Sequence, residues 1–165
     1  MRIRDLDPGS DAEIDLVARR MRQTLVEVEG PERGSSMYTM EWLVARVRWH
    51  LDGASCRARV LLAELADKQI AGHSIIRIEA ADGVPFGLVS TTYIDPAHRR
   101  AGLAAAFLEH SERWFRDEGM PTCCTWTSST NAPLIALYER HGYSIVESGA
   151  NDLTGTVMVR LSKAL

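Results

Sequence analysis

The stretch YIDPAHRRAGLAAAFL, residues 93–108, places two arginines and a glycine where a helix of small residues begins. The first N–H groups of a helix have no acceptor within the helix, and the helix dipole adds partial positive charge there. Such a helix start can bind an anion, and Gly102 would let a bulky phosphate approach the backbone closely. Arg99 and Arg100 would add fixed charge and bidentate donors. These residues predict a binding site for a diphosphate.

A plain strand–helix connection with surface arginines is the alternative for this turn, since two common phosphate-binding patterns are absent. The sequence contains neither G-x-x-x-x-G-K-[ST] nor G-x-G-x-x-G. A second segment, NAPLIALYERHGYSIV at residues 131–146, favours the binding function. Asn131 can cap the helix or reach a ligand amide, because its side chain carries both a donor and an acceptor. Tyr138 follows two helical turns later on roughly the same face, with a hydroxyl whose ordinary pKa is about 10.

Together these two segments resemble the GNAT superfamily of acetyl-CoA-dependent N-acetyltransferases. RRAGLA, residues 99–104, follows an expected strand end and is similar to the acetyl-CoA signature of that family. NAPLIALYERHGY, residues 131–143, is similar to its second motif, N-x-x-A-x-x-L-Y-E-x-x-G-[FY]. Arg100 replaces a frequent glycine and Leu134 a frequent alanine, but neither change removes a backbone donor. The resemblance covers roughly residues 57–161.

This resemblance implies that the strand ending at Ile94 diverges from the next strand and leaves a V-shaped gap. The pantetheine of acetyl-CoA would lie in the gap like an added strand and bond to the backbone near Tyr93 and Ile94. Its pyrophosphate would bind the amides of residues 99–104. The cofactor-binding residues that the resemblance implies are Tyr93, Ile94, Arg99, Arg100, Ala101, Gly102, Leu103, Ala104, Asn131 and Tyr138.

The reaction implied by the resemblance is a direct attack of an amine on the acetyl thioester, with both substrates bound. Tyr138 would act as the general acid towards the departing thiolate, whose thiol has an ordinary pKa of about 8.5. The amine must be neutral to attack, so a base is needed, and the sequence does not single one out. The base candidates are Glu27, Glu29, Glu32, Glu64, His73 and Glu79.

The resemblance implies that the acceptor, a small-molecule or peptide amine, binds near the break between the first two predicted helices. The candidate substrate-binding residues are Glu29, Glu32, Tyr38 and Trp42. Acidic residues there would attract a polyamine or an aminoglycoside, and the aromatic side chains would stack on a ring or hold a cation. The alternative is that the carboxylates are solvated and the aromatic rings pack against a neighbouring element.

One mixed α/β domain over residues 1–165 is the expected fold, with helices interrupting a mainly antiparallel sheet. The patterns predict about six or seven strands and about four helices, as in the GNAT fold that the motifs resemble. Residues 29–36 are expected to form a polar break, and residues 81–86 a loop. Residues 102–118 are expected to form a helix whose apolar stripe packs in the core.

Composition argues against several classes of protein, among them nucleic-acid-binding, disulfide-rich and membrane-spanning ones. With 165 residues, a net charge of −3 and 45% hydrophobic residues, the chain has no global basic surface for a nucleic acid. Three cysteines form no disulfide framework and lack the spaced partners of a zinc site, so no metal and a cytoplasmic location are expected. No apolar run approaches the length of a membrane span, and the first residues show no signal-peptide pattern.

Two other functions stay open at this point. A catalytically inactive acyl-CoA-binding sensor or regulatory module is favoured by the lack of an acid in residues 87–94, whereas Tyr138 favours the enzyme. A nucleotide-binding α/β domain would need alternating parallel units, and the hairpin expected around Asp67 argues against it. The resemblance is also compatible with a homodimer, formed through an exposed edge strand or an exchanged C-terminal strand.

Overall fold

The computed structural model describes all 165 residues, which form seven strands and five α-helices around one sheet. The predicted mixed α/β class and mainly antiparallel sheet are confirmed. None of the helices combines the length and the apolar character that a membrane span requires. In chain order the elements are β1 (Arg2–Asp5), α1 (Asp11–Glu29), α2 (Pro31–Ser36), α3 (Met40–Leu51), β2 (Ala58–Glu64), β3 (Ile70–Ala81), β4 (Val84–Ile94), α4 (Leu103–Asp117), β5 (Thr122–Ser128), α5 (Ala132–Arg140), β6 (Ser144–Ala150) and β7 (Val157–Ala164).

The strands lie in the order β1-β2-β3-β4-β5-β7-β6, and every neighbouring pair is antiparallel except β4 and β5. Helices α1 and α3 pack on one face of the sheet and α4 on the other, so the sheet separates two apolar cores. Helix α4 buries Phe107, Leu108 and Phe115 in the larger core, as its apolar stripe predicts. Val17 of α1 and Val47 of α3 are fully buried in the smaller core.

Strands β4 and β5 pair over three residues only and then diverge. Residues 87–89 of β4 pair with residues 123–125 of β5. Beyond this point, β4 continues to Ile94 and β5 to Ser128 without pairing with each other. The gap between the two strand ends, which we call the fork, is the position that the resemblance implies for pantetheine.

A β-bulge at Ser90 lies at the point of divergence. Consecutive residues 75 and 76 of β3 pair with Thr91 and Val89 of β4. Ser90 is therefore an extra residue with no partner in the register. Since a bulge bends its strand and increases the local twist, it turns the end of β4 away from β5 and opens the fork.

The prediction of a polar break at residues 29–36 is wrong in part, because this segment contains the short helix α2. Pro31 occupies the first turn, where its fixed φ suits a helix and its missing N–H is not needed. Gly34 is buried against α1, and a Cβ at this position would lie 2.5 Å from the Cα of Val26. Sequence periodicity misses this helix because six residues are too few to show a repeat.

The loop predicted at residues 81–86 is reduced to the two-residue turn Asp82–Gly83 between β3 and β4. Both residues have a positive φ, 51° and 77°, which is typical of the type I′ turn. This turn type matches the twist of a hairpin, so β4 begins at Val84 and not at residue 87 as predicted.

The edges of the sheet are β1 and β6. All seven residues of β6 are exposed, including Ile145 and Val146. An exposed edge strand can pair with another chain through its free backbone groups. The homodimer expected from the sequence stays a prediction.

His73 of β3 is a fully buried ionisable side chain close to the fork. Its ring stacks on that of Tyr93, with 5.8 Å between centroids, and neither ring nitrogen has a hydrogen-bond partner. Burial, with a smaller contribution from the charge of Arg20, lowers the pKa of His73 to about 3. The folded protein therefore holds this ring neutral well below neutral pH.

We expect His73 to make the fold sensitive to acid. The unfolded chain protonates this side chain below pH of about 6.5, whereas the folded chain does so only near pH 3, so stability falls as pH drops through this window. Between about pH 7 and about pH 5, this one residue lowers the free energy of unfolding by about 2 kcal/mol. His73→Phe keeps a ring that cannot titrate, so urea unfolding should show a decline smaller by that amount. An equal decline in both proteins would contradict this assignment.

Candidate functional site

A cleft of about 610 Å³ lies at the fork, bordered by β3, β4 and β5 and by helices α1, α3 and α5. Thr125 of β5 donates its hydroxyl to the carbonyl of Val89 at 2.8 Å, at the last paired position of the two strands. This buried hydrogen bond satisfies a carbonyl group where the pairing of β4 with β5 ends. The strand residues that line the cleft at the fork are Ser90, Thr91, Thr92, Thr125, Trp126, Thr127 and Ser128.

At the fork, alternate residues of β4 direct their backbone N–H and C=O groups to the unpaired edge of the strand. Asp95, which directly follows β4, donates its N–H to the carbonyl of Ala71 at 2.8 Å. Backbone groups of alternate residues point to opposite edges of a strand, so Tyr93 also faces β3, whereas Thr92 and Ile94 face the fork. Of the two expected pantetheine contacts, Ile94 is at the fork and Tyr93 lies in the sheet behind it, with its side chain buried.

The turn between β4 and α4 presents a row of unpaired backbone donors. The N–H groups of residues 100–105 donate to no backbone or side-chain acceptor, and no side chain caps the first turn of α4. Arg100 and Gly102 adopt the left-handed region, with φ of 61° and 81°. Leu103 is buried and anchors the helix start in the core, and Ala104 adds little bulk beside it. This arrangement is suited to an anion with several oxygen acceptors.

The two arginines of this turn have different surroundings. Arg99 donates Nε to the carbonyl of Ile94 at 2.9 Å, and its Nη2 donates to both oxygens of Glu27 at 2.9 and 3.0 Å. Arg100 is exposed, with no ion pair to any protein carboxylate. Arg99 therefore ties the turn to α1, and Arg100 is the arginine whose charge is free to meet a bound anion.

Tyr138 of α5 lines the cleft beside Thr125 and is only 3% exposed. Burial raises the pKa of its phenol well above the ordinary value, and contact with the Thr125 side chain offsets only part of this effect. Tyr138 therefore keeps its proton at neutral pH. A protonated phenol in this position is suited to donate a hydrogen bond or a proton to an anion that forms beside it.

A buried polar network supports Tyr138 through Tyr143. The two rings form an edge-to-face pair with centroids 4.7 Å apart. The Tyr143 hydroxyl donates to Glu112 Oε1 at 3.0 Å and contacts the Sγ of Cys123 at 2.8 Å. Lys163 donates to both oxygens of Glu112 at 3.0 Å and balances its buried charge. The orientation of Tyr138 is thus fixed by groups outside the cleft.

Asn131 is engaged within the protein at both ends of its amide. Its Oδ1 accepts from the N–H of Leu134 at 3.4 Å, which caps α5, and its Nδ2 donates to Thr127 Oγ1 at 3.2 Å. The side chain also lines the cleft. Of the two roles that the sequence left open, the structure shows the helix cap.

Three of the four candidate substrate-binding residues line the cleft: Glu29, Tyr38 and Trp42. The rings of Tyr38 and Trp42 stack with centroids 4.1 Å apart. Glu29 accepts hydrogen bonds from the Thr156 hydroxyl at 3.1 and 3.2 Å. Glu32 is exposed and does not line the cleft, because α2 buries its other face against α1.

The base candidates are separated by their surroundings. Glu27, Glu64 and Glu79 are held in ion pairs with arginines and do not line the cleft. Glu29 also forms an ion pair, with Arg33 at 3.7 Å, but it does line the cleft. The ring of His73 is fully buried and does not line the cleft. Glu29 is the one carboxylate among the lining residues, so it is the base candidate that the geometry favours.

The sequence did not indicate three further residues of the cleft lining, Arg46, His50 and Arg77. They come from α3 and β3, which lie far apart in the chain. In each segment their spacing resembles that of ordinary solvated side chains. They meet only because α3 packs on the sheet, so no local motif could have identified them.

Comparison with known families agrees with the two motifs. The model of the acetyltransferase (GNAT) family matches residues 21–143, which include the fork, the turn before α4 and the whole of α5. The protein belongs to the GNAT acetyltransferase family. The resemblance seen in the sequence is thereby confirmed, and the GNAT match begins earlier in the chain than residue 57, where the sequence motifs placed it.

The similarity to a curated relative is distant in sequence and covers part of each protein. Mycothiol acetyltransferase of Saccharomonospora viridis is 28% identical over 100 residues, which make up 58% of this chain and 33% of that protein. The aligned part thus spans about a third of the length of this curated relative.

Two similar solved structures align over nearly the whole chain. The NatC complex bound to Gag peptide and CoA has a TM-score of 0.79 at 15% identity, covering 99% of this chain and 98% of that one. The protein yncA of Salmonella typhimurium, solved with its cofactor acetyl-CoA, has a TM-score of 0.75 at 18% identity, covering 100% and 94%. At these identities the similarity shows a shared fold.

Proposed function

We propose that this protein is an N-acetyltransferase that moves the acetyl group of acetyl-CoA to an amine by direct attack in a ternary complex. The observation that carries the proposal is the fork between β4 and β5, which leads to the unpaired N–H groups of residues 100–105. A ligand with an extended arm and a diphosphate matches this combination. Two of the similar structures hold CoA or acetyl-CoA, which supports this choice of ligand.

The fork supplies an edge for the extended arm of the cofactor. The backbone of Thr92 and the N–H of Ile94 face it without a partner in a neighbouring strand, while the carbonyl of Ile94 already accepts from Arg99, so the pantetheine amides would bond to these free groups as an added strand. The pyrophosphate would lie on the N–H groups of residues 100–105, with added charge from Arg100. This placement brings the thioester to the fork, beside Tyr138.

The transfer forms a C–N bond to the amine and breaks the C–S bond to CoA. The amine loses one proton, and the sulfur leaves as a thiolate that takes one up. Tyr138, which burial keeps protonated, would donate to this sulfur as the general acid. Glu29 would receive the proton of the amine, directly or through water. Holding both reactants in one cleft would supply much of the rate gain.

A module that binds acyl-CoA without catalysis is the second candidate function. It would share the fork and the unpaired donors, and β4 contributes no acid to either function. Such a module needs neither a buried, protonated tyrosine nor a further space between α1, α3 and the sheet. The cleft has both, so the enzyme is the preferred function. Release of CoA in the presence of any amine would distinguish the two.

The cytoplasm is the proposed location. The thiols of Cys56, Cys123 and Cys124 are all unpaired, and two of them are buried. Unpaired thiols are typical of proteins that work in a reducing compartment. Fractionation of cells that express the tagged protein would test this location.

We expect Gly102→Glu to weaken acetyl-CoA binding more than Gly102→Ala does. Both variants place a Cβ at a left-handed position and share that backbone cost, roughly 1 kcal/mol. No atom lies within 4 Å of a Cβ at this position, so neither variant disturbs the packing. Only glutamate adds bulk and negative charge beside the unpaired donors. Calorimetric titration should show about tenfold weaker binding for the glutamate variant or more, about 1.4 kcal/mol. Equal affinities would place the pyrophosphate elsewhere.

We expect Tyr138→Phe to slow turnover while leaving the affinity for acetyl-CoA nearly intact, because only one hydroxyl is removed. A general acid contributes about 10²- to 10⁴-fold, so kcat should fall by roughly 10²-fold or more. The pH profile of the wild type gives a second check. The raised pKa keeps Tyr138 protonated, so kcat should show no alkaline loss up to about pH 10.

Tyr143→Phe is the matched control for this experiment. Tyr143 does not line the cleft. The variant removes a neighbouring buried hydroxyl that bonds to Glu112, and it keeps the ring that packs on Tyr138. It should lower the melting temperature and change kcat by only a few fold. Wild-type turnover in Tyr138→Phe would remove that residue from the mechanism. Equal losses in both variants would indicate damage to the structure and not the loss of an acid.

A further inference from the structure

The charge that an acceptor meets in the cleft is mostly positive. Arg46 of α3 and Arg77 of β3 both line it, and Glu29 is the one carboxylate in the lining. Of the two glutamates among the candidate substrate-binding residues, Glu29 lines the cleft and Glu32 does not. The lining therefore holds two arginines and one carboxylate.

Arg77 is fixed in place with part of its guanidinium unused. Its Nε donates to Glu79 at 2.5 Å, and its Nη1 donates to the Ser90 hydroxyl at 3.0 Å and to His50 Nε2 at 3.1 Å. Its Nη2 has no partner. The Nδ1 of His50 donates to the carbonyl of Arg46 at 2.8 Å, so Nε2 is the acceptor of a neutral ring. Burial lowers the pKa of His50 to about 4, which agrees with a ring that orients Arg77 and carries no charge.

The side chain of Arg46 forms no hydrogen bond and no ion pair with any group of the protein. Its guanidinium lies over the Trp49 ring at 4.1 Å and borders the cleft. Burial and the nearby charge of Arg77 both lower the pKa of Arg46. Two guanidinium groups at the border of a partly desolvated cleft repel each other, and the one neighbouring carboxylate, Glu79, pairs with Arg77 alone. An anion bound by both would offset this repulsion.

We propose that Arg46 and Arg77 bind a carboxylate of the acceptor, so the acceptor is an amine that also bears a carboxylate, as an amino acid does. This inference rests on the proposed acetyl transfer. Guanidinium groups bind carboxylates through pairs of charge-assisted hydrogen bonds. The stacked rings of Tyr38 and Trp42 line the same cleft and offer apolar surface to the rest of the acceptor.

The amine and the carboxylate of this acceptor must lie close together. Arg77 bonds to Ser90, the bulge residue directly after the last paired position of β4. The thioester is proposed to lie at the same fork, so a carboxylate on Arg77 is only a few atoms away from the reacting amine. An α-amino acid meets this requirement. A polyamine or an aminoglycoside would bring positive charge to two guanidinium groups that already repel each other.

Binding of acid and amide pairs tests the carboxylate site without requiring turnover. The probes are N-acetyl-alanine, N-acetyl-leucine and N-acetyl-phenylalanine, each paired with its N-acetyl amino acid amide and titrated with and without CoA. We expect the wild type to bind at least one acid roughly tenfold or more tightly than its amide, and high salt to weaken this preference. The proposal is wrong if no acid is preferred over its amide.

Variants of single arginines assign the preference to named side chains. Arg46→Gln removes the charge that repels Arg77 at the cost of one contact with the Trp49 ring, so the fold should be about as stable as the wild type and the acid preference should disappear. Arg77→Gln should also remove the preference, with some loss of stability because His50 and Glu79 lose a partner. Arg48→Gln is the control, since Arg48 lies on the same helix but pairs with Asp11 at the surface. A wild-type preference in Arg46→Gln would overturn the proposal.

Turnover separates this inference from the proposed function. Release of CoA is measured with alanine, leucine and phenylalanine, with their amides, and with spermidine. A higher kcat/KM for an acid than for its amide, lost in Arg46→Gln, supports the carboxylate site. Faster release with amides or spermidine would overturn that site and leave acetyl transfer intact. An acid preference in binding with no CoA release from any amine would overturn acetyl transfer and leave the carboxylate site supported.

Discussion

Strands β4 and β5 share only three paired positions, and the rest of the site depends on the backbone beyond them. An unpaired polar backbone group inside a protein costs free energy comparable with a lost hydrogen bond. The hydroxyl of Thr125 satisfies the carbonyl of Val89, and the bulge at Ser90 bends the rest of β4 away from β5. The backbone groups that remain unpaired border a cleft of ligand size. A bound molecule with amide groups would therefore complete the sheet.

Contacts within the protein hold three of the side chains near the fork in place. Arg99 links the turn between β4 and α4 to α1 and to the end of β4. Tyr143, whose hydroxyl donates to Glu112, packs its ring edge-to-face against Tyr138 from outside the cleft. Three hydrogen bonds position Arg77. The phenol of Tyr138 and the guanidinium group of Arg77 are thus positioned before a substrate binds. Less ordering is required on binding, and this favours both affinity and rate.

The sequence predicted those parts of the site that lie within one local segment. The unpaired donors of residues 100–105 follow from one turn, and the place of Tyr138 in the cleft follows from one helix. The direction of the backbone at Tyr93 depends on the register between β3 and β4, which local patterns do not define. The meeting of Arg46 with Arg77 depends on how α3 packs on the sheet, so no local pattern indicated it. Fold class was predictable because it depends on many residues at once.

Arg100 occupies the left-handed region of the backbone, with a φ of 61°. A residue with a Cβ costs roughly 1 kcal/mol or more there relative to glycine. The strain belongs to the folded chain with or without a ligand, so it reduces stability and leaves the affinity for a diphosphate untouched. In the proposed complex, the charge of the same side chain would act on affinity alone. Thermal stability and affinity for acetyl-CoA would therefore favour different residues at this position, the first glycine and the second arginine.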